Sequence, residues 1–296
     1  MTALPGAVGV MPLEAEITIG RADFALFQAL IYREAGIWLS EAKRVLLVTR
    51  LFRRVRELGI SSFSLYYRRI VDDDPAELTR MLECVCTHET SFFRERQHFD
   101  YLERSFLPRL LAQAAAGSRP RRVRAWSAGC SSGEEPFSIA MSLAAVLPAA
   151  QGWQVDVLAT DLSSRILERA AQAEWPIAKA EQIPRHHLKT FMLRGTGEHE
   201  GKMRASEALA SMVRFQRLNL NDPFFECEGP FDLIFCRNVL IYFNAASKAR
   251  VVERLIDRLA SEGNVFVGHA ETLHGVSNRL GSLQPTIYAH ATACDR

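Results

Sequence analysis

Hydrophobic and polar positions along the chain fall into two regimes. From residue 17 to about 88 the apolar residues recur at helical spacing, in "RADFALFQALIYREAG", "EAKRVLLVTRLFRRVRELG" and "SFSLYYRRIVDDDPAELTRMLECVC". In the second stretch Leu47, Val48, Leu51, Val55 and Leu58 share one face, while Lys43, Arg50, Arg53 and Arg54 share another. Gly59 supplies a stop, and Asp72 to Asp74 with Pro75 make a break and a new helix start. The pattern predicts a small all-helical domain over 17–88, a linker helix region over 89–117, and a disordered tail over 1–16.

After residue 118 the period changes. "RRVRAWSAG", "WQVDVLATD", "MVRFQRLNL", "FDLIFCRN" and "GNVFVGHAE" are short β-branched and aromatic runs, separated by helical patterns at 135–147, 163–173 and 245–260. Strands alternating with helices predict an α/β domain over 118–296, built on a parallel sheet covered on both faces. "FMLRGTGEHEGKMRA" (Phe191 to Ala205) alternates differently and is punctuated by glycine, predicting an inserted antiparallel β-subdomain at about 185–208.

Composition narrows the possibilities. With 48% hydrophobic residues the 296-residue chain can bury an ordinary core. It has no run of eighteen apolar residues, and "MTALPGAVGVMPLEAE" lacks the positive start of a secretory signal, so a cytoplasmic protein without direct membrane insertion is expected. Six cysteines show no pair-of-pairs spacing, which disfavours a zinc site or a disulfide framework; no metal is expected. A formal charge of +2 is far from that of a dedicated nucleic-acid binder. The arginine-rich helix is then either a solvated face or a local docking surface for an acidic partner.

In parallel α/β sheets ligands sit beyond the carboxyl ends of the strands. Those ends carry Ser127, Gly129, Asp161, Asn219, Asn221, Arg237, Asn238 and Glu271. In "WSAGCSSGEEPFSIAM", Gly129 and Gly133 allow close approach of a ligand to the backbone. The loop is not G-x-G-x-x-G, and Glu134 and Glu135 follow it. Either acid alone could simply complement a helix dipole. Together they would repel a pyrophosphate and suit a cationic or zwitterionic nucleoside. Asp161 ends the next strand, where an acid accepts hydrogen bonds from ribose, although it could instead cap the following helix. The combination points to S-adenosylmethionine.

Four stretches carry a family resemblance: "THETSFFRE", "WSAGCSSGEEPFSIAM", "LATDLSSRIL" and "FDLIFCRNVLIYF". They resemble the motif series of the bacterial chemotaxis receptor methyltransferases, the CheR family, over residues 17 to 290. The resemblance implies a Rossmann-like S-adenosylmethionine-dependent methyltransferase domain joined to the helical one, methylating glutamate side chains of chemoreceptors and releasing S-adenosylhomocysteine. It implies cofactor contacts from Thr90, Arg94, Gly129, Glu135, Asp161, Asn219, Leu220, Arg237 and Asn238, with Asn219 and Leu220 at the adenine. Arg94, Tyr242 and Arg237 become the catalytic candidates. His88 stands where the family pattern has asparagine, and Phe92 and Phe93 read as core.

The same resemblance turns Lys43, Arg50, Arg53, Arg54 and Arg56 into docking candidates for the acidic methylation region of a receptor. It also likens the "RGTG" excursion to a subdomain that grips a receptor's carboxyl-terminal pentapeptide, with Arg194, Gly195, Gly197 and Arg204 as contacts. A monomer recruited to membrane receptor arrays follows, with no nucleic-acid partner. The chemistry asks little: a glutamate side chain, which ordinarily titrates at about 4.3, is already ionised near neutrality, so no general base is required. In-line positioning, worth about 7 to 11 kcal/mol in favourable cases, must be supplied. A nicotinamide dehydrogenase, a cofactor-binding adaptor without turnover and a nucleic-acid methyltransferase are the competing classes.

Overall fold

The computed structural model describes residues 18–294; the tail expected over 1–16 lies outside them. The described chain divides into two compact units, residues 18–30 with 39–85, and residues 31–38 with 86–294.

The first unit is helical, as the 3.6-residue period predicts. It takes most of α1 (Arg21–Ala35), then α2 (Arg44–Glu57), α3 (Phe63–Arg68) and α4 (Pro75–Val85). Ser62 Oγ caps α3 through Leu65 N at 3.3 Å, and Asp74 Oδ1 receives Ala76 N at 3.1 Å ahead of α4. The apolar stripe of α2 contributes Leu47, Leu51 and Val55 to a core with Phe24, Phe27, Phe63, Tyr66 and Met81. Phe27 meets Phe63 edge-on and Tyr66 face-on, both at 6.1 Å. Beneath that core Glu77, wholly buried, takes two hydrogen bonds from Arg54 (2.8 and 2.6 Å) and one from Tyr66 (2.8 Å).

The second unit opens with α5 (Gln97–Tyr101) and α6 (Leu107–Ala115), joined by a π-helical turn. There follow β1 (Arg122–Ala128), α7 (Glu134–Ala144), β2 (Gln154–Asp161), α8 (Ser164–Ala171), β3 (Glu174–Pro176), α9 (Arg185–Phe191), β4 (Met192–Arg194), β5 (Lys202–Ala205) and α10 (Glu207–Ala210). The chain then runs through β6 (Val213–Arg217), β7 (Phe231–Phe235), α11 (Ala245–Ile256), β8 (Leu259–Phe266), β9 (Leu280–Gln284), β10 (Ile287–His290) and α12 (Ala291–Cys294).

Seven strands form one sheet in the order β6-β2-β1-β7-β8-β10-β9. From β6 to β8 the pairing is parallel; β10 runs antiparallel to β8 and β9. Alternation sorts the strand residues to two faces: Ala125, Val157 and Leu233 lie in one core, and Trp126, Leu158 and Ile234 in the other. The chain moves outward from β1 to β2 and β6, then returns to β7 on the other side of β1. This reversal makes the carboxyl ends of β1 and β7 the topological switch point, the place where ligands bind in open α/β sheets.

Three features differ from the sequence expectation. The sheet is mixed, because a β9–β10 hairpin adds two antiparallel strands at its edge. The strand expected from Gly263 begins at Leu259. Phe231 and Leu233 pair with Leu259 and Asn264, so the register shifts and residues 260–263 are bulged out. The separate antiparallel sheet, β3-β5-β4, starts at Glu174, earlier than 185, because β3 joins the β4–β5 hairpin. No helix among the described residues is long and apolar enough to cross a membrane.

Candidate functional site

The loop after β1 is pinned from below. Gly129 N and Cys130 N both donate to Thr160 O at 2.8 Å, tying the end of β1 to the end of β2. Gly129 has φ +90°, and a Cβ there would lie 2.5 Å from Val239 Cγ2, so only glycine lets the loop meet the segment after β7. Asp161 closes the other side: its Oδ2 accepts from Ser131 N at 2.9 Å and its Oδ1 from Ser163 N at 3.1 Å. The cap of α8 is Ser163, whose Oγ accepts from Ile166 N at 3.2 Å. Asp161 therefore keeps unused lone pairs that hydroxyl groups could fill.

The two glutamates at the start of α7 part ways. Glu134 is fully buried and turns toward Lys179 and Ser132 Oγ, the latter at 2.6 Å. Glu135 turns toward the ends of β1 and β7, receiving Ser127 Oγ at 2.6 Å and Arg237 Nη1 at 3.2 Å. Burial pushes the Glu135 carboxyl up, against the pull of Arg237 and Ser127.

Arg237, with 1% of its side chain exposed, is the hub. It donates to Glu135 and to the Arg94 carbonyl, and it lies 3.4 Å from Glu95 Oε2. Burial opposes ionisation of Glu95, but His269 and Arg237 outweigh it and bring the carboxyl down to about 2. Arg94 is half-buried, its guanidinium donating to Glu89 O at 3.1 Å. The preceding segment is held from three directions: Ser131 Oγ to His88 O at 2.9 Å, Phe92 N to Gln182 Oε1 at 3.0 Å and Phe93 N to Ser138 Oγ at 2.9 Å. Thr90 and Tyr242 are half-buried.

Glu271 fixes the loop that leads from Arg237 to Tyr242. It is 5% exposed, and its carboxylate accepts from Asn238 N (2.8 Å), Gly268 N (2.6 Å) and Ile241 N (3.1 Å). Asn238 sits at φ +58°, a conformation asparagine tolerates better than most residues. Beyond β6, Asn219 is already engaged: Nδ2 donates to Glu34 O at 2.6 Å and Oδ1 accepts from Asn221 N at 2.9 Å. Leu220 is buried in the core. Residues 31–38 thus reach the strand ends. Asn221 Nδ2 holds Arg33 O at 3.0 Å, Trp38 N donates to Tyr242 O at 2.8 Å, and Ile37 bridges Phe243.

The donor set fits a cationic nucleoside cofactor. Glu95, Glu135 and Asp161 set three carboxylates against the two guanidiniums of Arg94 and Arg237. Among the described residues no group of His, Cys, Asp and Glu is arranged to hold a metal ion. Residues 88–289 match the family model described as CheR methyltransferase, SAM binding domain, and residues 22–86 match CheR methyltransferase, all-alpha domain. The chain belongs to the CheR methyltransferase family.

Curated relatives agree in length and name. The chain is 38% identical to chemotaxis protein methyltransferase 2 of Pseudomonas aeruginosa, the match covering 92% of this chain and 94% of the relative. It is 34% and 35% identical to the chemotaxis protein methyltransferases of Salmonella typhimurium and Escherichia coli, over 95% of this chain and 94% of each relative. As a CheR methyltransferase it is an S-adenosylmethionine-dependent enzyme.

In this CheR chain the docking candidates do not form one uniform cationic face. Arg53 and Arg56 are exposed; Arg53 pairs with Glu57 at 2.9 Å, and Arg56 lies over the Phe52 ring. Lys43 and Arg50 are half-buried, Arg50 donating to Val85 O. Arg54 is spent on Glu77. In the small sheet Arg204 on β5 stands between Glu174 on β3 and Leu193 on β4. Arg194 and Arg204 are exposed, and Gly195 and Gly197 shape the turn between β4 and β5. The residues missed from sequence are Glu95 and the 31–38 segment. Glu95 stood inside a quoted motif without a role, and its strand-end neighbours were the available signal.

Proposed function

We infer that the chain transfers the methyl group of S-adenosylmethionine to glutamate carboxylates of chemoreceptors, giving methyl esters, with Arg94 and Tyr242 as its catalytic residues and Arg237 in support. The observation that carries the reading is Arg237, which links Glu135 at the β1 loop to the Arg94 backbone. The bound cofactor supplies an electrophilic methyl group whose transfer leaves a neutral thioether. Glu135 and Asp161 provide the anionic cradle, with Thr90, Gly129, Asn238 and Leu220 lining it. Asn219 acts at the adenine end through its position on the loop, because its side-chain amide is already committed. Arg94 and Tyr242 orient the incoming carboxylate, which is ionised near pH 7 and needs no base. Arg237 acts from beneath by holding Arg94.

Receptor engagement follows the same reading. Lys43, Arg50, Arg53 and Arg56 meet the acidic methylation region, while Arg194 and Arg204 with Gly195 and Gly197 meet a carboxyl-terminal pentapeptide added to the β4 edge. The protein works as a cytoplasmic monomer recruited to receptor arrays, without nucleic acid. Transfer of radiolabelled methyl to receptor-containing membranes tests this, with base-labile release identifying the ester. Label on receptors supports the activity, and dependence on the tail supports the tether. Cofactor binding without labelling would leave an adaptor. Arg94→Ala should cut transfer by about 10²–10³ while S-adenosylhomocysteine affinity changes little; equal losses in both would remove its catalytic role.

A further inference from the structure

On either side of Arg94 the backbone passes through the left-handed region, at Phe93 (φ +51°) and at Glu95 (φ +59°). Non-glycine residues are held there only when the surroundings insist, and such positions cluster at functional sites. The Glu95 side chain between Arg94 and α5 is 8% exposed. Its Oε1 accepts from His269 N (3.1 Å) and lies 3.0 Å from His269 Nδ1 and 3.5 Å from Asn238 Nδ2. Its Oε2 faces Arg237 Nη2 at 3.4 Å and His98 Nδ1 at 3.6 Å. One carboxylate therefore joins the segment carrying Arg94, the segment carrying Arg237 and Asn238, and the turn after β8.

The joint is not saturated. Glu95 Oε2, Arg237 Nε and His98 Nδ1 are buried without a hydrogen-bond partner. Full pairing is the rule for buried polar groups, so an arrangement left short of it at strained backbone answers to geometry more than to stability. His98, wholly buried and hydrogen-bonded through Nε2 to Thr286 Oγ1 at 2.7 Å, closes the far side and leaves Arg237 as the cation facing Glu95 Oε2.

We propose that Glu95 is a positioning residue for methyl transfer: its charge holds Arg237, whose Nη2 holds the Arg94 carbonyl, and so sets where the Arg94 guanidinium stands. This rests on the reading of Arg94 as a reacting-site residue. A displacement of about 1 Å at a positioned group can cost on the order of 10²-fold in rate, so the effect belongs in kcat. Glu95→Gln keeps an acceptor for His269 and removes the charge that faces Arg237. Glu95→Asp keeps the charge on a shorter stem.

Both variants of the full chain are assayed on receptor-containing membranes, with S-adenosylhomocysteine affinity from calorimetry and Tm from circular dichroism. Glu95→Gln is expected to lower kcat about 10- to 100-fold, with cofactor affinity and receptor KM within about threefold, and Glu95→Asp to recover part of the rate. A kcat within about threefold of the parent in Glu95→Gln, or a loss that follows Tm or cofactor affinity with no recovery in Glu95→Asp, overturns the proposal. If neither variant folds, His269→Ala loosens Oε1 from an exposed position and should lower kcat alone; unchanged kinetics there overturn it too. Arg94→Ala runs alongside. Normal turnover in Arg94→Ala removes Arg94 from the chemistry, whereas near-parental Glu95→Gln beside an inactive Arg94→Ala removes Glu95 alone.

Discussion

Arg54 in the helical unit and Arg237 in the α/β unit both face buried carboxylates, but they are built differently. Arg54 grips Glu77 with two prongs at 2.8 and 2.6 Å, with Glu57 more distant at 3.6 Å, and Tyr66 at 2.8 Å and Arg80 at 3.5 Å fill out the Glu77 carboxylate. Arg237 is shared between two carboxylates and a main-chain carbonyl, and its Nε finds no partner. A fork matched to a single acid is the geometry of a fastener. An arginine divided between two other segments, the start of α7 and residues 94–95, does poorly as a fastener and well as a gauge, because it makes the position of each segment depend on the others. Residue type is the same in the two places; saturation separates them, together with burial, the Arg54 side chain being 20% exposed and that of Arg237 1%.

The largest test strikes the fastener. Arg54→Ala leaves Glu77 enclosed with only the Arg80 guanidinium, 3.5 Å away, as a cation, which should lower stability by about 3 kcal/mol, measured by denaturant unfolding followed by circular dichroism. Activity per folded molecule should survive, so a variant of unchanged stability that fails on receptors would return Arg54 to the docking face. The pair also has a pH signature. Burial opposes ionisation of Glu77, but Arg54 and Tyr66 more than offset it and the carboxyl falls below its ordinary 4.5. Its contribution is present above that value and lost as pH drops through the lower folded pKa. Glu77→Gln should flatten stability against pH in that acid range.

A smaller effect is expected at the gauge. Glu135→Gln should weaken S-adenosylhomocysteine binding about tenfold, or about 1.4 kcal/mol, with Tm unchanged, as read by calorimetry. Because burial raises the Glu135 carboxyl, the parent's affinity should decline on acidification at a higher pH than an ordinary glutamate would impose, and the variant should lose that dependence. The smallest effect is at the surface. Arg53→Ala with Arg56→Ala should leave Tm where it is and raise receptor KM about two- to threefold at low salt, a difference that about 1 M salt should erase. Persistence of the difference at high salt would argue against a charge-based docking role.

Period and strand ends made most of the scaffold legible. Runs such as "VDVLATD" and "FDLIFCRN" have the apolar density of strands buried on both faces, and the loop with Gly129 announced its close approach. The β9–β10 hairpin did not stand out, since "LGSLQ" is short and partly polar. A sheet edge gives little burial signal. The pairing of Arg54 with Glu77 was equally silent: 23 residues separate them, on different helices, and each alone looks like a solvated charge. Glu95 lay in view inside "THETSFFRE", but a carboxylate's partners from residues 237, 238 and 269 are a property of topology.

The stretch from Ile31 to Trp38 carries a practical consequence for anyone cutting or recombining this chain. It precedes most of the helical unit in sequence, yet its main-chain carbonyls anchor Asn219 and Asn221, and its backbone runs against Tyr242 and Phe243. The α/β unit is therefore discontinuous. A fragment begun at Cys86 would shed a strap from its own strand ends, and a chimera joined at that residue would marry the strand ends of one parent to the strap of another.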